Sequence, residues 1–206
     1  MAGTRQRLID AAIATIRDHG VGGASARAIA ATAGVNQALV FYHFGSVNDL
    51  LTAACQVATE ARVAPFRARL DEVTTLRELL TLGRELHAEE RSLGNVTVLA
   101  QMLAAAQRDP QLAGATASAL HLWIEPIETA LHRLLVKSPV ADLVDVPGLA
   151  RAVSAGFIGL ELFDGVDPAG AADALSALER LTALIEVIDD LGPVVRRALR
   201  ARLRRR

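Results

Sequence analysis

The sequence predicts an all-α protein in which three short N-terminal helices precede a larger helical region. Of its 206 residues, 51% are hydrophobic but only 3% are aromatic, so the core must consist mainly of alanine, leucine, valine and isoleucine. Alanine and leucine are among the strongest helix formers. The 7 prolines lie mainly at apparent segment edges. No alternating run of apolar and polar residues is long enough to indicate a sheet.

The first two predicted helices have clear boundaries. The first runs from about residue 4 to residue 19 and ends at Gly20, which is suited to a C-cap. Its apolar stripe consists of Ile9, Ala12, Ile13 and Ile16. The second begins after Ser25, a favourable N-cap residue, and ends near Gly34.

Two further helices follow closely. The third extends from about Asn36 to His43, and Ser46 begins a fourth with Asp49 as its capping-box partner. Only a few residues separate the second and third helices, and Gly34 lies between them, which is the sequence form of a helix-turn-helix. A left-handed backbone conformation at this glycine would let the second helix of the motif cross the first steeply.

Beyond residue 46 the apolar residues keep a helical spacing. The breaks between them predict helices near residues 46–70, 75–90, 93–108, 111–136, 148–164, 169–191 and 193–204. Pro126 lies inside one of these and should kink it, because proline removes a backbone hydrogen bond and clashes with the preceding turn. We therefore place a first domain at residues 1–46 and a second domain at residues 47–206.

The segment from Gly34 to Phe44 has the most specific pattern in the sequence. On a helix, its outer face would carry Gln37, Ala38, Phe41 and Tyr42. Its inner face, which should pack on isoleucines of the first two helices, would carry Val35, Val40 and Phe44. A helix with an apolar inner side and polar outer groups suits the major groove of DNA.

The outer residues have chemistry suited to reading a duplex. Gln37 can form two hydrogen bonds with the edge of adenine, and the small Ala38 allows close approach to a thymine methyl group. Tyr42 and His43 can reach phosphates or bases. Core packing is the alternative interpretation of the aromatic run, and it suits Phe44 best.

Residues 5–50 resemble the TetR family of bacterial regulators, and the spacing fits without insertions. The matching elements are Ile9, Ala11 and Ala12, Gly20, Ser25, Ile29 and Ala30, Gly34 and Val35, the aromatic cluster from Phe41 to Phe44, and Leu50. Beyond this quarter of the chain, the agreement consists of length, helicity and the break at residues 108–110.

The resemblance implies that the first domain binds DNA through a turn and recognition helix spanning Gly34 to Phe44, with Ser25 and Arg27 near phosphates. Together with the outer face, this gives a predicted DNA-contact set of Ser25, Arg27, Asn36, Gln37, Ala38, Phe41, Tyr42 and His43. The resemblance also implies that the second domain dimerises through its last long helices and holds a ligand pocket among its middle helices. Ligand binding would then change the spacing of the two DNA-binding domains in the dimer.

Three positions depart from the family pattern. Gln37 stands where lysine is frequent, Phe41 where tyrosine is usual, and Val47 where the fourth helix commonly carries lysine. Each change removes a possible phosphate contact, and phosphate contacts dominate non-specific affinity. We expect weak, salt-sensitive binding unless other cations compensate. The candidates are Arg5, Arg7, Arg27 and the C-terminal tail.

The middle helices carry the mixture expected of a ligand pocket, which is mostly apolar with a few placed polar groups. The candidate ligand-binding residues are His87, Gln101, Met102, His121, Trp123 and Glu125. A core position is the alternative for Trp123, the only tryptophan. Near His87 we expect a surface cluster with Glu89 and Glu90 and no metal site, because no two histidines there have the helical spacing of metal ligands.

Two late helices have the composition of an oligomer interface. A glycine inside a helix costs about 1 kcal/mol relative to alanine, so a pair of them suggests a packing reason. The candidate interface, which could build a two-fold four-helix contact, consists of Ala152, Ala155, Gly156, Gly159, Leu178, Leu181 and Ile185. Ordinary core packing is the alternative.

Charge and cysteine content set further limits. The whole chain has 22 basic and 23 acidic residues, and the basic ones are concentrated in an arginine-rich tail at residues 194–206, so the rest is acidic. This tail could bind nucleic acid, pair with the acidic body or form a solvated helix. Cys55 is the single cysteine, and the sequence has no recognisable signal peptide or membrane-spanning run. We expect a cytoplasmic protein with no membrane partner.

The sequence has no recognisable glycine-rich phosphate loop or other catalytic constellation, and we expect neither enzymatic activity nor a cofactor or metal. The residues and the resemblance together predict a homodimeric, ligand-responsive repressor. Its partners would be a near-palindromic DNA operator and a small, largely apolar effector that releases it. The alternative is a ligand-independent dimeric regulator or architectural DNA-binding protein whose second domain only dimerises.

Overall fold

The described part of the chain is built from helices. The computed structural model describes residues 3–93, 95–136, 138, 141, 144–189 and 192, with the side chains of residues 90–93, 95–97, 182 and 184–189 excepted. The predicted helix at 193–204, the arginine tail and the side chain of Ile185 therefore lie outside the description. The helices are α1 (Thr4–Gly23), α2 (Ala26–Ala33), α3 (Ala38–Phe44), α4 (Val47–Glu72), α5 (Leu76–Leu93), α6 (Asn95–Ala106), α7 (Pro110–Leu135), α8 (Val146–Asp164) and α9 (Pro168–Asp189). The described residues contain no strand, and the predicted all-α class is confirmed.

α1 has one buried face and is interrupted near its end. Its fully buried residues are Leu8, Ile9, Ala12 and Ile16. Ile13, also expected in this stripe, is half-buried. At Gly20 the backbone has φ 74° and ψ 170°, so the regular helix ends there as predicted, and a short further segment leads to Gly23.

α2 has a defined start and end. The Ser25 hydroxyl oxygen accepts a hydrogen bond from the Ala28 backbone N–H at 3.2 Å, which confirms the predicted N-cap. At the other end Gly34 has φ 64° and ψ 39°, and the N–H of Val35 donates to the carbonyl of Ala30 at 3.0 Å. This bond is that of a Schellman motif, which requires a left-handed residue that glycine supplies without a steric penalty.

The helices after the turn begin with polar side chains. Asn36 Oδ1 accepts the backbone N–H of Ala38 at 2.8 Å, so Asn36 closes a turn and α3 begins two residues later than predicted. Ser46 precedes α4, and its hydroxyl accepts the N–H of Asp49 at 3.1 Å and donates to the Asp49 carboxylate at 2.5 Å. This is a variant of the predicted capping box, in which the carboxylate binds the hydroxyl of the cap residue.

The described residues form two compact units. The first contains residues 3–65 and 92–123, and the second contains residues 66–91 and those from 124 onward. In the first unit α1 packs against α2 and α6. Its fully buried side chains include Ile29, Val40, Leu50 and Met102. α1 thus packs on both α2 and α6, and the predicted functional boundary after residue 46 stays a prediction.

The second unit combines α5, the later part of α7, α8 and α9, of which α8 packs against α9. Its buried side chains include Leu82, Leu86, Ile127, Leu131 and Leu135. The Arg133 guanidinium donates to the carbonyl oxygens of Leu70 at 2.6 Å and Val73 at 2.9 Å. The Leu70 carbonyl also accepts the N–H of Val73 at 3.2 Å, so Arg133 adds to the hydrogen bonds that close the end of α4.

Among the described residues, one helix, Val146–Asp164, is long and apolar enough to span a membrane by length and composition. Only 17% of its most apolar stretch is buried. One such helix is weak evidence for a membrane span, because a helix that packs against another protein chain has the same composition.

Candidate nucleic-acid interface

α3 presents two different faces, as predicted. Val40 is fully buried, whereas Phe41 is 48% and Tyr42 is 80% exposed. Gln37 and Ala38, at the start of the helix, are also exposed. A buried valine therefore anchors this short helix, and its aromatic and amide groups face the solvent.

A row of ring contacts runs along the end of α3. The ring centroids of Tyr42 and His43 are 4.9 Å apart, and those of His43 and Phe44 are 6.5 Å apart. The guanidinium carbon of Arg5, in the first turn of α1, lies 5.0 Å from the centroid of the Phe44 ring. Phe44 is half-buried, so the predicted core position holds for only part of its ring.

The predicted DNA-contact residues all lie on the surface of the first unit: Ser25 is the N-cap of α2, and the others are on α2, on α3 and in the turn between them. All are exposed except His43, which is half-buried. Ser25 uses its hydroxyl oxygen to cap α2, which leaves the hydroxyl hydrogen for another acceptor. Arg27 is the second residue of α2. The role of these residues in DNA binding stays a prediction.

Two polar contacts join α1 and α4, which flank the helix-turn-helix, to α6 and to the start of α7 within the first unit. The Val21 backbone N–H donates to Gln101 Oε1 at 2.9 Å. Asn48 Nδ2 donates to Asp109 Oδ2 at 2.9 Å, and Asp109 Oδ1 accepts the N–H of Gln111 at 2.9 Å and caps α7. Neither contact was predictable from the sequence, because the partners lie 80 and 61 residues apart. The only available signal was the Asp-Pro pair, which is typical of a helix start.

Three candidate ligand-binding residues are buried. Met102 is fully buried in the first unit, and Trp123 of the same unit is 9% exposed. His87, in the second unit, is 7% exposed. A ligand role for these three residues stays a prediction.

The other three candidates are more accessible. Gln101 is half-buried, and its side-chain oxygen is engaged with α1. His121 is exposed. Glu125 is exposed in the second unit and pairs with Arg67 at 2.9 Å. The six candidates thus divide between the two units.

The expectation of a surface cluster around His87 is wrong. Its Nδ1 lies 2.5 Å from Glu161 Oε1, its Nε2 lies 3.8 Å from Asp164 Oδ1, and all three side chains are at most 10% exposed. Glu89 instead pairs with Arg69 at 2.7 Å. Residues two apart on a helix do not share a face, which explains why His87 and Glu89 have different partners.

The candidate interface residues of α8 and α9 lie on the surface of the protomer. The exposed ones are Ala152, Ala155, Gly156, Gly159, Leu178 and Leu181. Among the described residues, no atom outside the helix's own backbone would lie within 4 Å of a Cβ atom added at Gly156 or Gly159.

Known proteins are similar to this chain in two ways, through a family model of its N-terminal region and through solved structures that cover most of its length. Residues 8–54 match the family model of bacterial regulatory proteins, tetR family. None of the curated proteins matches the chain. Among solved structures, a protein from Rhodococcus sp. assigned to the TetR-family transcriptional regulators is 22% identical, with a TM-score of 0.73 over 92% of this chain and 100% of that one.

Two further solved structures have higher identity. SCO7518 from Streptomyces coelicolor A3(2), assigned as a transcriptional regulator, is 27% identical, with a TM-score of 0.66 over 87% of this chain and 98% of that one. The multidrug binding protein EbrR, solved with imidazole, is 29% identical, with a TM-score of 0.62 over 86% and 96%.

A recognition helix held outward after a glycine turn, on an otherwise helical body, defines a DNA-binding transcriptional regulator. The match at residues 8–54 and the fold shared with solved TetR-family regulators confirm the resemblance to the TetR family of bacterial regulators found in the sequence.

Proposed function

We propose that this regulator is a cytoplasmic homodimeric repressor that binds a near-palindromic operator and releases it when a small, largely apolar molecule binds. The contrast on α3 between the fully buried Val40 and the 80% exposed Tyr42 carries the DNA-binding part. A large aromatic side chain held in water by an anchored helix contributes little to folding, whereas its ring and hydroxyl suit contact with a duplex. We expect no enzymatic activity.

The exposed faces of α8 and α9 support the homodimer. Their exposed large apolar side chains are Val153, Leu162, Phe163, Leu178 and Leu181. Exposed large apolar side chains of this kind are typical of protein interfaces, and the small residues of α8 allow close approach of helices. A second copy of the chain would bury both helices in a two-fold contact.

Light scattering of the purified protein tests this assembly. We expect a dimer for the wild type and a monomer for Leu181→Glu, because a carboxylate would be buried in the contact. Val136→Glu is a matched control, since Val136 is 68% exposed just after α7 and lies outside the proposed face. Equal masses for the wild type and Leu181→Glu would contradict this interface.

The effector is proposed from the related proteins and from the candidate residues. EbrR is described as a multidrug binding protein and has been solved with imidazole and with proflavin. The buried candidates Trp123 and Met102 would supply apolar contacts to a small molecule.

A ligand-independent dimeric regulator is the second candidate. Gln101 is already bonded to α1 and Met102 is fully buried, so two of the candidate ligand residues have structural roles. A screen of small apolar molecules for release of bound DNA distinguishes the two functions. Release by a compound that also raises the melting temperature supports the first function.

DNA binding is tested by fluorescence anisotropy with the DNA upstream of the protein's own gene and a random duplex, at two salt concentrations. We expect tighter binding to the upstream DNA with a modest salt dependence. Equal and steeply salt-dependent binding to both duplexes would remove support for a specific repressor, because backbone contacts alone then account for the affinity.

A further inference from the structure

The recognition region lacks permanent cations of its own. Between Arg27 and Arg62 the sequence contains no lysine or arginine. Binding of a protein to duplex DNA depends on neutralising phosphates with cationic side chains. A recognition helix in such a segment requires cations from neighbouring elements.

Among the described residues, Arg5 has a cation–π contact with the end of α3. Its guanidinium carbon lies 5.0 Å from the ring centroid of Phe44, the last residue of that helix. Phe44 in turn contacts His43, and His43 contacts the exposed Tyr42. The row of ring contacts thus runs from the first turn of α1 to the outer face of α3.

The chemistry of this contact suits a phosphate. A guanidinium stacked near an aromatic ring is held by cation–π attraction, and its planar shape still presents N–H donors at its edge. Those donors match two oxygens of a phosphate at once. Arg5 is exposed, so a duplex can reach it.

Arg17, a further arginine of α1, has a different setting. Arg17 lies 12 positions further along the sequence, which is about 18 Å along a helix, and its side chain is 3.8 Å from the carboxylate of Asp18. It therefore offers the same charge on the same helix without a contact to α3.

We infer that Arg5 binds the DNA backbone beside the recognition helix, and that Phe44 is a positioning residue that holds the Arg5 guanidinium there. This inference rests on the proposed DNA-binding function. The contribution of Arg5 to affinity should then be the same for duplexes of any base sequence, because phosphate contacts carry no base information.

The test measures the dependence of log Kd on log salt concentration for the operator and for a random duplex, in the full-length protein. Each lost phosphate contact reduces this slope by about 0.9, so Arg5→Ala should flatten it by about 1.8 in a dimer. Both duplexes should lose affinity by the same factor. Arg17→Ala should keep the wild-type slope, and Arg5→Lys, which keeps the charge, should largely restore it.

Phe44 is tested by rescue and by a double-mutant cycle. Phe44→Leu should flatten the slope, whereas Phe44→Tyr, which keeps an aromatic face, should restore it. The losses in Arg5→Ala and Phe44→Leu should not add in the double variant, because Phe44 acts through Arg5. Circular dichroism checks that each variant is folded, and additive losses would contradict the positioning role.

Three outcomes would overturn the inference about Arg5. A wild-type slope for Arg5→Ala, with specific binding by the wild type, would refute it and leave the proposed function intact. A loss confined to the operator would assign Arg5 to base reading instead. A wild type that binds no duplex would refute both this inference and the proposed function.

Discussion

The backbone N–H of Val21 donates to the side-chain oxygen of Gln101 at 2.9 Å, and this bond joins the end of α1 to α6. Gly20, next to Val21, has a φ of 74°, and a Cβ atom there would lie 2.9 Å from the same oxygen. The conformation of Gly20 and the contact with Gln101 therefore depend on each other.

Gln101→Leu should destabilise the protein by about 1 kcal/mol, because it leaves a partly buried N–H without this acceptor. Urea unfolding followed by circular dichroism measures the change. Gln107→Leu is the control, since Gln107 is exposed just after α6. Equal stability of the two variants would show that the bond contributes nothing measurable.

Gly34→Ala should destabilise the protein by about 1–2 kcal/mol, because a Cβ atom is unfavourable in the left-handed conformation. Apart from Gly34 and its chain neighbours, no atom of the described residues lies within 4 Å of the added carbon, so the cost comes from the backbone conformation. Gly34→Asn should cost less, since asparagine tolerates this conformation. Gly114→Ala, inside α7 with the same open surroundings, should instead stabilise the protein.

Tyr42→Ala should weaken operator binding by roughly tenfold to a hundredfold, as expected for a lost hydrogen bond to a charged group. It should leave the melting temperature unchanged, since Tyr42 is 80% exposed. Anisotropy titration and thermal unfolding measure the two effects. An unchanged Kd would show that Tyr42 lies away from the DNA.

His87→Ala should destabilise the protein by about 2–3 kcal/mol, because it removes a buried partner of Glu161. His87→Gln keeps a donor and should cost less. Urea unfolding compares both with His132→Ala, whose side chain is 61% exposed. A cost for His87→Ala no larger than that of the control would contradict a structural role for the contact between α5 and α8.

Burial raises the pKa of the Cys55 thiol above its ordinary value of 9.0, and this outweighs the lowering by a hydrogen bond with Thr59. Above that pH the unfolded chain loses the proton while the folded chain keeps it, so stability falls as pH rises. The unfolding free energy should therefore drop more steeply between pH 8 and pH 10 in the wild type than in Cys55→Ala. Parallel pH profiles would contradict this.

The local features of the helix-turn-helix could be predicted because short-range rules determine them. The cap at Ser25 and the left-handed Gly34 each depend on residues within five positions, and the buried face of α3 follows from helical spacing. The same rules placed the start of α3 two residues too early, because the Asn36 side chain competes for the first backbone donors.

Contacts between distant segments could not be predicted in this way. His87 and Glu161 are 74 positions apart, and nothing in the pattern around either residue indicates the other. The ligand role predicted for Gln101 came from its polarity alone, whereas its observed partner is a backbone group 80 positions away. A polar residue among apolar ones shows that a partner is needed without showing which one.

The two oxygens of Asp109 serve different helices, since Oδ1 caps α7 and Oδ2 accepts a hydrogen bond from Asn48 in the first turn of α4. A serine would retain the cap with a single oxygen and give up the bond to Asn48. An asparagine would place one amide donor against another. Substitution at position 109 is thus limited both by the cap of α7 and by the bond to Asn48. We expect related genes to change positions 48 and 109 together.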